Sequence, residues 1–337
     1  MRRSAALTFV LRRLKRLGLW RFLFWSFIIF NFLPVALLTY HIQTTISPLE
    51  FLLKDMREPK TVIDVPIPSA NASLVVLDMI NVHQHLVERW LYVRYSSDRS
   101  DEELGYGLIW PKPGVAGIDR FNTSTWVANQ VVLPSGEMCN DIFIMLKMSN
   151  RTAFRKLSFG LNNGMLHSFH GTMMRDNGSL VTVEQSAELI HVSRRWFGLI
   201  ENNNNKVVHS AYGDWIDQEK RKNAVYDQII IREREESDGD VVYYPNRVFS
   251  DASTVRKLYR LLKENGFIIV YISRRDKSER ENVGVIFSTY KASFGEHCKV
   301  LEPSKTQNSY LFCQKTNNST TFEKIHRGAF NLIENGC

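Results

Sequence analysis

Two glycines and one acidic residue have the types and the spacing of a site for a nucleoside. Gly160 and Gly164 lie four residues apart in a turn that follows an apolar run. Glycine permits positive φ and a close approach of backbone to a ligand, because it has no Cβ. Glu184 ends the next β-branched run, twenty residues after Gly164. An acidic side chain there can accept both hydroxyls of a ribose. Taken singly, these residues also fit a tight turn and a helix-capping acid, but their combination favours a nucleoside site.

Two other groups of residues have side chains of the types that bind metal ions. Asp238 and Asp240 form an Asp-x-Asp triplet, which can hold a divalent cation that bridges the diphosphate of a nucleotide sugar. The same Ser-Asp-Gly-Asp sequence is also good turn chemistry. His167, His170 and His191 show no ligand spacing on a common face, so we interpret them as structural and predict no metal site.

The elements around these residues alternate between strand and helix. Strands are predicted over 156–160, 180–184, 206–210, 226–231 and 267–272, and helices over 165–174, 187–197, 253–263 and 281–294. This alternation is typical of a doubly wound α/β fold with a parallel sheet. Two last strands, 298–301 and 310–314, predict an antiparallel hairpin at one edge. We assign this α/β domain to residues 151–330.

Residues 71–150 contain short apolar runs that are separated by polar, proline and glycine segments, which predicts a small β-rich domain. Residues 41–70 contain four prolines and no sustained period, and we interpret them as a stalk.

Residues 22–40 carry no formal charge and are long enough to span a bilayer as a helix. The preceding residues 1–21 contain seven basic and no acidic side chains, so the positive-inside rule places them in the cytosol. We therefore predict a signal-anchor helix in the lipid bilayer, with the rest of the chain lumenal or extracellular. A cleaved signal peptide is the alternative, although the apolar core is long for one and lacks a small-residue cleavage site.

The net charge of +8 comes almost entirely from this basic amino terminus. Beyond residue 21 the chain has 36 basic and 35 acidic side chains. The body of the protein is balanced, and we expect no nucleic-acid partner.

The run from Leu157 to Lys315 resembles the S-adenosylmethionine-dependent methyltransferase superfamily, and within it the spermidine synthase-like branch, which includes membrane-anchored members. The matching segments are 160–164, 181–184, 195–198, 226–231 and 262–270, with 299–303 and 311–313 similar to that branch's terminal hairpin. The resemblance covers roughly half of the chain and implies a Rossmann-like methyltransferase sheet behind a small amino-terminal β-domain. It implies S-adenosylmethionine as the cofactor, with these binding residues: Gly160, Asn163, Gly164, Glu184 and Asp214.

The chain also departs from the family's pattern. Leu161, Asn162 and Asn163 stand where the family's first turn is richer in glycine. Ala211 stands where the family usually has an acid for the adenine amino group, and Asp214 is the nearest candidate to replace it.

After the fourth strand, Arg232 takes the place of a carboxylate that receives a cationic amine in spermidine synthases, so polyamine synthesis is not expected. Glu235 remains a candidate base, and a solvated charged loop is the alternative interpretation of this segment.

Three functions stay open at this point. The first is a membrane-anchored, lumenal methyltransferase whose methyl acceptor is unknown. The second is a relative of the same fold that has lost catalysis and acts as a binding or scaffold protein. The third is a Golgi glycosyltransferase that uses a nucleotide sugar, which the tail, anchor and stalk would suit. The compartment can be the endoplasmic reticulum, the Golgi or the plasma membrane.

Two features bear on an oxidising, glycosylating compartment. Acceptor triplets for N-glycosylation begin at six positions, all after the predicted anchor: Asn71, Asn122, Asn150, Asn177, Asn317 and Asn318. Cys298 and Cys313 lie on the two strands of the terminal hairpin, where they can form a disulfide or remain buried thiols.

Overall fold

The computed structural model describes Gly18 and the following ranges: 59–67, 71–81, 86–96, 101–112, 122–128, 154–173, 178–233, 235–236, 242–243, 245–273, 277–302 and 308–316. The chain divides into two compact units, one of residues 1–57 and 111–125 and one of residues 58–110 and 126–337. In the first unit the structure describes Gly18, residues 111–112 and 122, and a short 3-10 helix, Thr123–Thr125. The second unit contains two sheets.

The first sheet is antiparallel, with its five strands in chain order. Its strands are β1 (Lys60–Ile67), β2 (Ala72–Asn81), β3 (Leu86–Tyr95), β4 (Glu102–Trp110) and β5 (Val127–Ala128). This agrees with the β-rich region expected within 71–150, of which residues 129–150 lie outside the described part. The stalk boundary at residue 70 is wrong, because residues 60–67 pair with β2. Pro66 is tolerated there because β1 is an edge strand.

The second sheet has seven strands in the order β13-β14-β12-β9-β6-β7-β8. They are β6 (Phe154–Phe159), β7 (Gly178–Glu184), β8 (Asn205–His209), β9 (Tyr226–Ile231), β12 (Leu262–Ser273), β13 (Cys298–Leu301) and β14 (Asn308–Gln314), while β10 (Glu235–Glu236) and β11 (Val242–Tyr243) form a separate ribbon. Strands β6 to β9 and β12 are parallel, and β14 runs antiparallel to β12 and β13. The predicted doubly wound α/β sheet with a terminal antiparallel hairpin is confirmed.

Five helices connect these strands in the described part of the chain. They are α1 (Met165–Met173), α2 (Ala187–Trp196), α3 (Tyr212–Arg221), α4 (Ala252–Leu261) and α5 (Lys277–Phe294). Helix α3 was not predicted from the sequence. Ala211 at its N-cap offers no side-chain acceptor, so the usual start signal is missing.

The main core lies between one face of the parallel sheet and helices α3, α4 and α5. It includes Phe159 from β6, Ile231 from β9 and Leu258 from α4, all fully buried. Strands such as β9 are buried at every position, as a parallel sheet covered on both faces requires. The strand ends are thereby held in fixed positions.

A buried ion pair within the antiparallel sheet also contacts helix α2. Arg89 Nε and Nη2 donate to the two carboxylate oxygens of Asp78 at 2.7 and 2.9 Å, and neither side chain is exposed. Arg89 Nη1 also donates to the carbonyl oxygen of Trp196, the last residue of α2, at 3.1 Å. The antiparallel sheet is therefore fixed to a helix that follows the second strand of the parallel sheet.

The structure describes some of the residues on which the expected cellular compartment depends. Cys298 and Cys313 are paired across β13 and β14 and are bonded to each other. Asn71 and Asn122 are exposed. The other four acceptor asparagines, Asn150, Asn177, Asn317 and Asn318, lie outside the described residues. So does the predicted anchor, residues 22–40, and none of the helices that the structure describes is long and apolar enough to span a bilayer.

Breaking the buried pair should be costly. Asp78→Ala leaves the Arg89 guanidinium buried without its carboxylate, and we expect the free energy of unfolding to fall by about 3–5 kcal/mol. The matched control is Asp101→Ala, which removes the carboxylate of the exposed pair with Arg94 and should cost less than about 1 kcal/mol. Chemical denaturation of both variants tests this. Equal losses in the two variants would contradict it.

Candidate cofactor site

The candidate site lies where the order of the parallel sheet reverses. The chain proceeds from β6 outward through β7 and β8, and then returns to place β9 on the other side of β6. In such sheets ligands bind beyond the carboxyl ends of the strands at this switch point. Gly160 directly follows β6, and Arg232 directly follows β9. The Arg232 N–H donates to the Phe159 carbonyl at 2.9 Å, so the two strand ends are held together.

The turn from Gly160 to Gly164 has the conformation that its glycines suggest. Gly160 and Gly164 have φ of 93° and 77°, and Asn162 between them has φ of 50°. Asparagine is one of the few residues that adopt this left-handed region readily. Asn162 therefore takes a conformation that glycine would otherwise supply, and the turn stays tight although it has fewer glycines than the family's pattern.

Glu184 is placed as the nucleoside interpretation requires. It ends β7, is 2 % exposed, and accepts hydrogen bonds from the N–H of Leu161 at 2.9 Å and of Ser186 at 2.8 Å. The carboxylate thus links the turn after β6 to the turn after β7. Each carboxylate oxygen has more than one lone pair, so both can accept a further hydrogen bond from a ligand hydroxyl.

Asn163 was expected to bind the cofactor, but the structure turns its side chain toward the antiparallel sheet. Its Nδ2 donates to the Tyr106 carbonyl at 3.0 Å, and its Oδ1 accepts from the N–H of Met165 at 3.1 Å. The close approach depends on Gly105, where a Cβ would lie 2.9 Å from Asn163 Nδ2. Asn163 therefore positions the turn.

Glu233 and Tyr212 are the site residues that the sequence analysis missed. A Cβ on Gly160 would lie 2.4 Å from the Arg232 carbonyl oxygen and 2.7 Å from Glu233 Oε2, so the segment after β9 packs directly on Gly160. Tyr212 is buried beside it. Burial raises the pKa of Tyr212 well above its ordinary value, and the charges of Glu233 and Glu184 raise it further. The position just after a buried strand at the switch point is the signal that could have singled out Glu233.

Arg232 was expected to place a positive charge where spermidine synthases have a carboxylate. Its guanidinium lies over the ring of Tyr271, 5.4 Å from the ring centroid. The carboxylate of Glu233, one residue later, is the charged group against Gly160.

The remaining candidates lie in other elements or outside the described residues. Asp214 lies exposed in the first turn of α3, where a negative charge suits the helix N-terminus. Glu235 belongs to the short ribbon of β10 and β11. Asp238 and Asp240 lie outside the described residues, and the described part of the chain contains no group of three or more His, Cys, Asp or Glu that could hold a metal ion.

A polar cluster lies beneath the turn, between the sheet and α1. Lys156 is 1 % exposed, and its Nζ lies 3.3 Å from His170 Nδ1. His167 Nδ1 lies 2.8 Å from the Thr182 hydroxyl. A cavity of about 10 Å³, room for about one water molecule, adjoins these histidines, Ser158 and the turn itself.

Burial shifts the ionisation of this cluster. It lowers the pKa of Lys156 to about 7 and that of His167 to about 4. The pKa of His170 is lowered well below its ordinary value, first by burial and then by the charge of Lys156. His167 and His170 are therefore neutral at pH 7.

Comparison with known proteins gives distant structural likenesses. No protein-family model and no curated protein matches the chain. Among solved structures, human methyltransferase-like protein 13 in complex with SAH is 20 % identical, over 59 % of this chain and 87 % of that one, with a TM-score of 0.45. A probable spermidine synthase from Corynebacterium glutamicum ATCC 13032 is 15 % identical, over 81 % of this chain and 87 % of that one, with a TM-score of 0.47. At these values the fold assignment rests on the strand order itself.

Replacing the buried lysine should stabilise the domain. Between pH 7 and its ordinary pKa of 10.5, Lys156 is neutral when folded and protonated when unfolded, so stability rises with pH across this window. Lys156→Met should remove this dependence and raise the free energy of unfolding at pH 7 by roughly 2–4 kcal/mol.

Denaturation curves between pH 6 and pH 10 measure the effect of Lys156→Met. Lys206→Met is the control, because Lys206 is exposed and its loss should change stability by no more than about 0.5 kcal/mol. If Lys156→Met is less stable than the wild type at pH 7, the buried amine stabilises the fold and the prediction is wrong.

Proposed function

We propose that residues 154–316 form an S-adenosylmethionine-binding, methyltransferase-like domain that transfers a methyl group to an acceptor still to be identified. The observation that carries the proposal is the Glu184 carboxylate, which lies at the end of β7 and holds the Gly160–Gly164 turn through the Leu161 N–H. An acid in that place can accept the two ribose hydroxyls of a nucleoside, and the turn gives the nucleoside a close backbone surface.

The residues present fit the nucleoside part of this cofactor. Gly160 and Gly164 have the positive φ that a tight turn at a ligand requires, and the Glu184 carboxylate lies beside this turn, where it accepts from the Leu161 and Ser186 N–H groups. When bound, the sulfonium cofactor supplies an already activated methyl group. The task of the protein is then to hold the cofactor and the acceptor in line and to exclude water.

A second candidate is a binding protein of the same fold without catalysis, and two observations favour it. The Arg232 carbonyl and the Glu233 carboxylate pack directly on Gly160, in the space that the cofactor would approach. Ala211, with no polar side chain, also follows β8 in place of an acid. Cofactor binding separates the alternatives only in part, so a transfer assay must follow it.

We further propose a type II membrane topology, with this domain on the lumenal or extracellular side. The basic residues 1–21 and the uncharged residues 22–40 support it. The disulfide between Cys298 and Cys313 supports it independently, since such bonds persist in oxidising compartments. Exposed Asn71 and Asn122 are then accessible to glycosylation. A Golgi glycosyltransferase shares this topology, but no described residue supports its metal site.

Isothermal titration of the full-length chain in detergent with S-adenosylmethionine and with S-adenosylhomocysteine tests the proposal. We expect saturable binding, weakened at least about tenfold by Glu184→Gln, because the amide loses the charge and one of the two acceptors that the Leu161 and Ser186 N–H groups need. Glu188→Gln is the control, since Glu188 lies in the first turn of α2 outside the Gly160–Gly164 turn.

Thermal unfolding of each variant checks that loss of binding is not loss of fold. Absence of binding to the folded wild-type chain would reject the cofactor proposal. Equal weakening by Glu184→Gln and Glu188→Gln would reject the placement of the ribose on Glu184.

A further inference from the structure

Three polar side chains converge on the carboxyl ends of β6, β7 and β9. Glu184 reaches the turn through the Leu161 N–H, and Glu233 Oε2 lies where a Cβ of Gly160 would almost touch it. Tyr212 lies beside both carboxylates, and their charges act on its hydroxyl. The side chain of Tyr212 is 1 % exposed, and its hydroxyl lies near the Glu233 carboxylate.

The Glu184 and Glu233 carboxylates both lie close to the turn. Arg232, the nearest cationic side chain along the sequence, has its guanidinium over the ring of Tyr271. Two carboxylates close to one ligand favour a positive group and oppose a negative one, and the effect is larger where water is partly excluded.

We infer that Glu233 is a specificity-determining residue of the proposed cofactor site, where its carboxylate selects a ligand that carries a positive charge next to the Gly160 turn. The inference rests on the proposed function, in which the ligand is a sulfonium nucleoside. It goes further by assigning the discrimination between the charged cofactor and its uncharged thioether product to one side chain.

The same charge pattern disfavours other nucleotide classes. A nucleotide sugar and a dinucleotide both carry a diphosphate, and sites for such groups offer backbone N–H donors and cationic side chains. Here the Leu161 N–H is already taken by Glu184, and the residue packed on Gly160 is acidic. Repulsion between the diphosphate and Glu233 then lowers affinity for these ligands.

The experiment compares S-adenosylmethionine, S-adenosylhomocysteine and UDP-glucose by titration of the full-length wild type and of Glu233→Gln. The two nucleosides differ by one methyl group and one positive charge, so the ratio of their dissociation constants reports the charge effect. We expect the wild type to prefer the sulfonium by about tenfold or more, and Glu233→Gln to reduce this preference to within about threefold. UDP-glucose should bind the wild type more weakly than it binds Glu233→Gln, because the variant lacks the charge that repels the diphosphate.

Glu264→Gln is the matched control. It removes the same formal charge from an exposed position near the amino-terminal end of β12, which is the opposite edge of the sheet from the turn. It should leave the ratio unchanged. Glu233→Ala, checked by thermal unfolding, serves as a second variant in case the amide keeps a hydrogen bond.

The outcomes separate this inference from the proposed function. If the wild type binds both nucleosides with equal affinity, or if the ratio is the same in Glu233→Gln, the inference is wrong and the cofactor site stands. If Glu233→Gln tightens both nucleosides equally, Glu233 only blocks the site, and charge selection is again wrong. If the folded wild type binds neither nucleoside, the proposed function fails, and the inference fails with it.

Discussion

The carboxylate of Glu184 holds two turns of the parallel sheet at once, and the geometry of the candidate site depends on it. A buried carboxylate is costly unless it is hydrogen-bonded, and here the N–H groups of Leu161 and Ser186 provide the two donors. The turn after β6 and the start of α2 are thereby fixed relative to each other. The glycines can keep their positive φ because the backbone around them is held from this side.

The opposite side of the turn is held by the antiparallel sheet. Asn163 donates to Tyr106, and Gly105 leaves the space for that contact. The buried pair of Arg89 and Asp78 fixes the same sheet to the end of α2. The small amino-terminal sheet thus helps to hold the candidate site. A substitution that destabilises this sheet should therefore disturb the Gly160–Gly164 turn without changing any residue proposed to contact the ligand.

The sequence was sufficient for features that depend on local order along the chain. Gly160, Gly164 and Glu184 could be found because strand ends, turns and spacing are visible in the pattern of residues. The parallel sheet and its terminal hairpin followed from the alternation of elements. Helix α3 was missed because Ala211 gives no capping signal, and β1 was taken for stalk because of its proline.

What the sequence could not give is the direction of individual side chains. Asn163 turns away from the expected ligand because of Gly105, more than fifty residues earlier in the chain. Whether the side chain of Arg232 or of Glu233 reaches Gly160 depends on the local backbone after β9, which the sequence pattern does not define. The burial of Lys156, which has no carboxylate partner among the described residues, also breaks the usual pattern of charged residues at the surface.

The most direct test of the proposed cofactor site is a crystal structure of the protein from crystals grown with saturating S-adenosylhomocysteine. We predict that the nucleoside lies beyond the carboxyl ends of β6 and β7. Its ribose hydroxyls should donate to the carboxylate of Glu184, and it should contact the protein backbone of the Gly160–Gly164 turn. A nucleoside bound elsewhere, or a turn still covered by Glu233 with no ligand present, would contradict it.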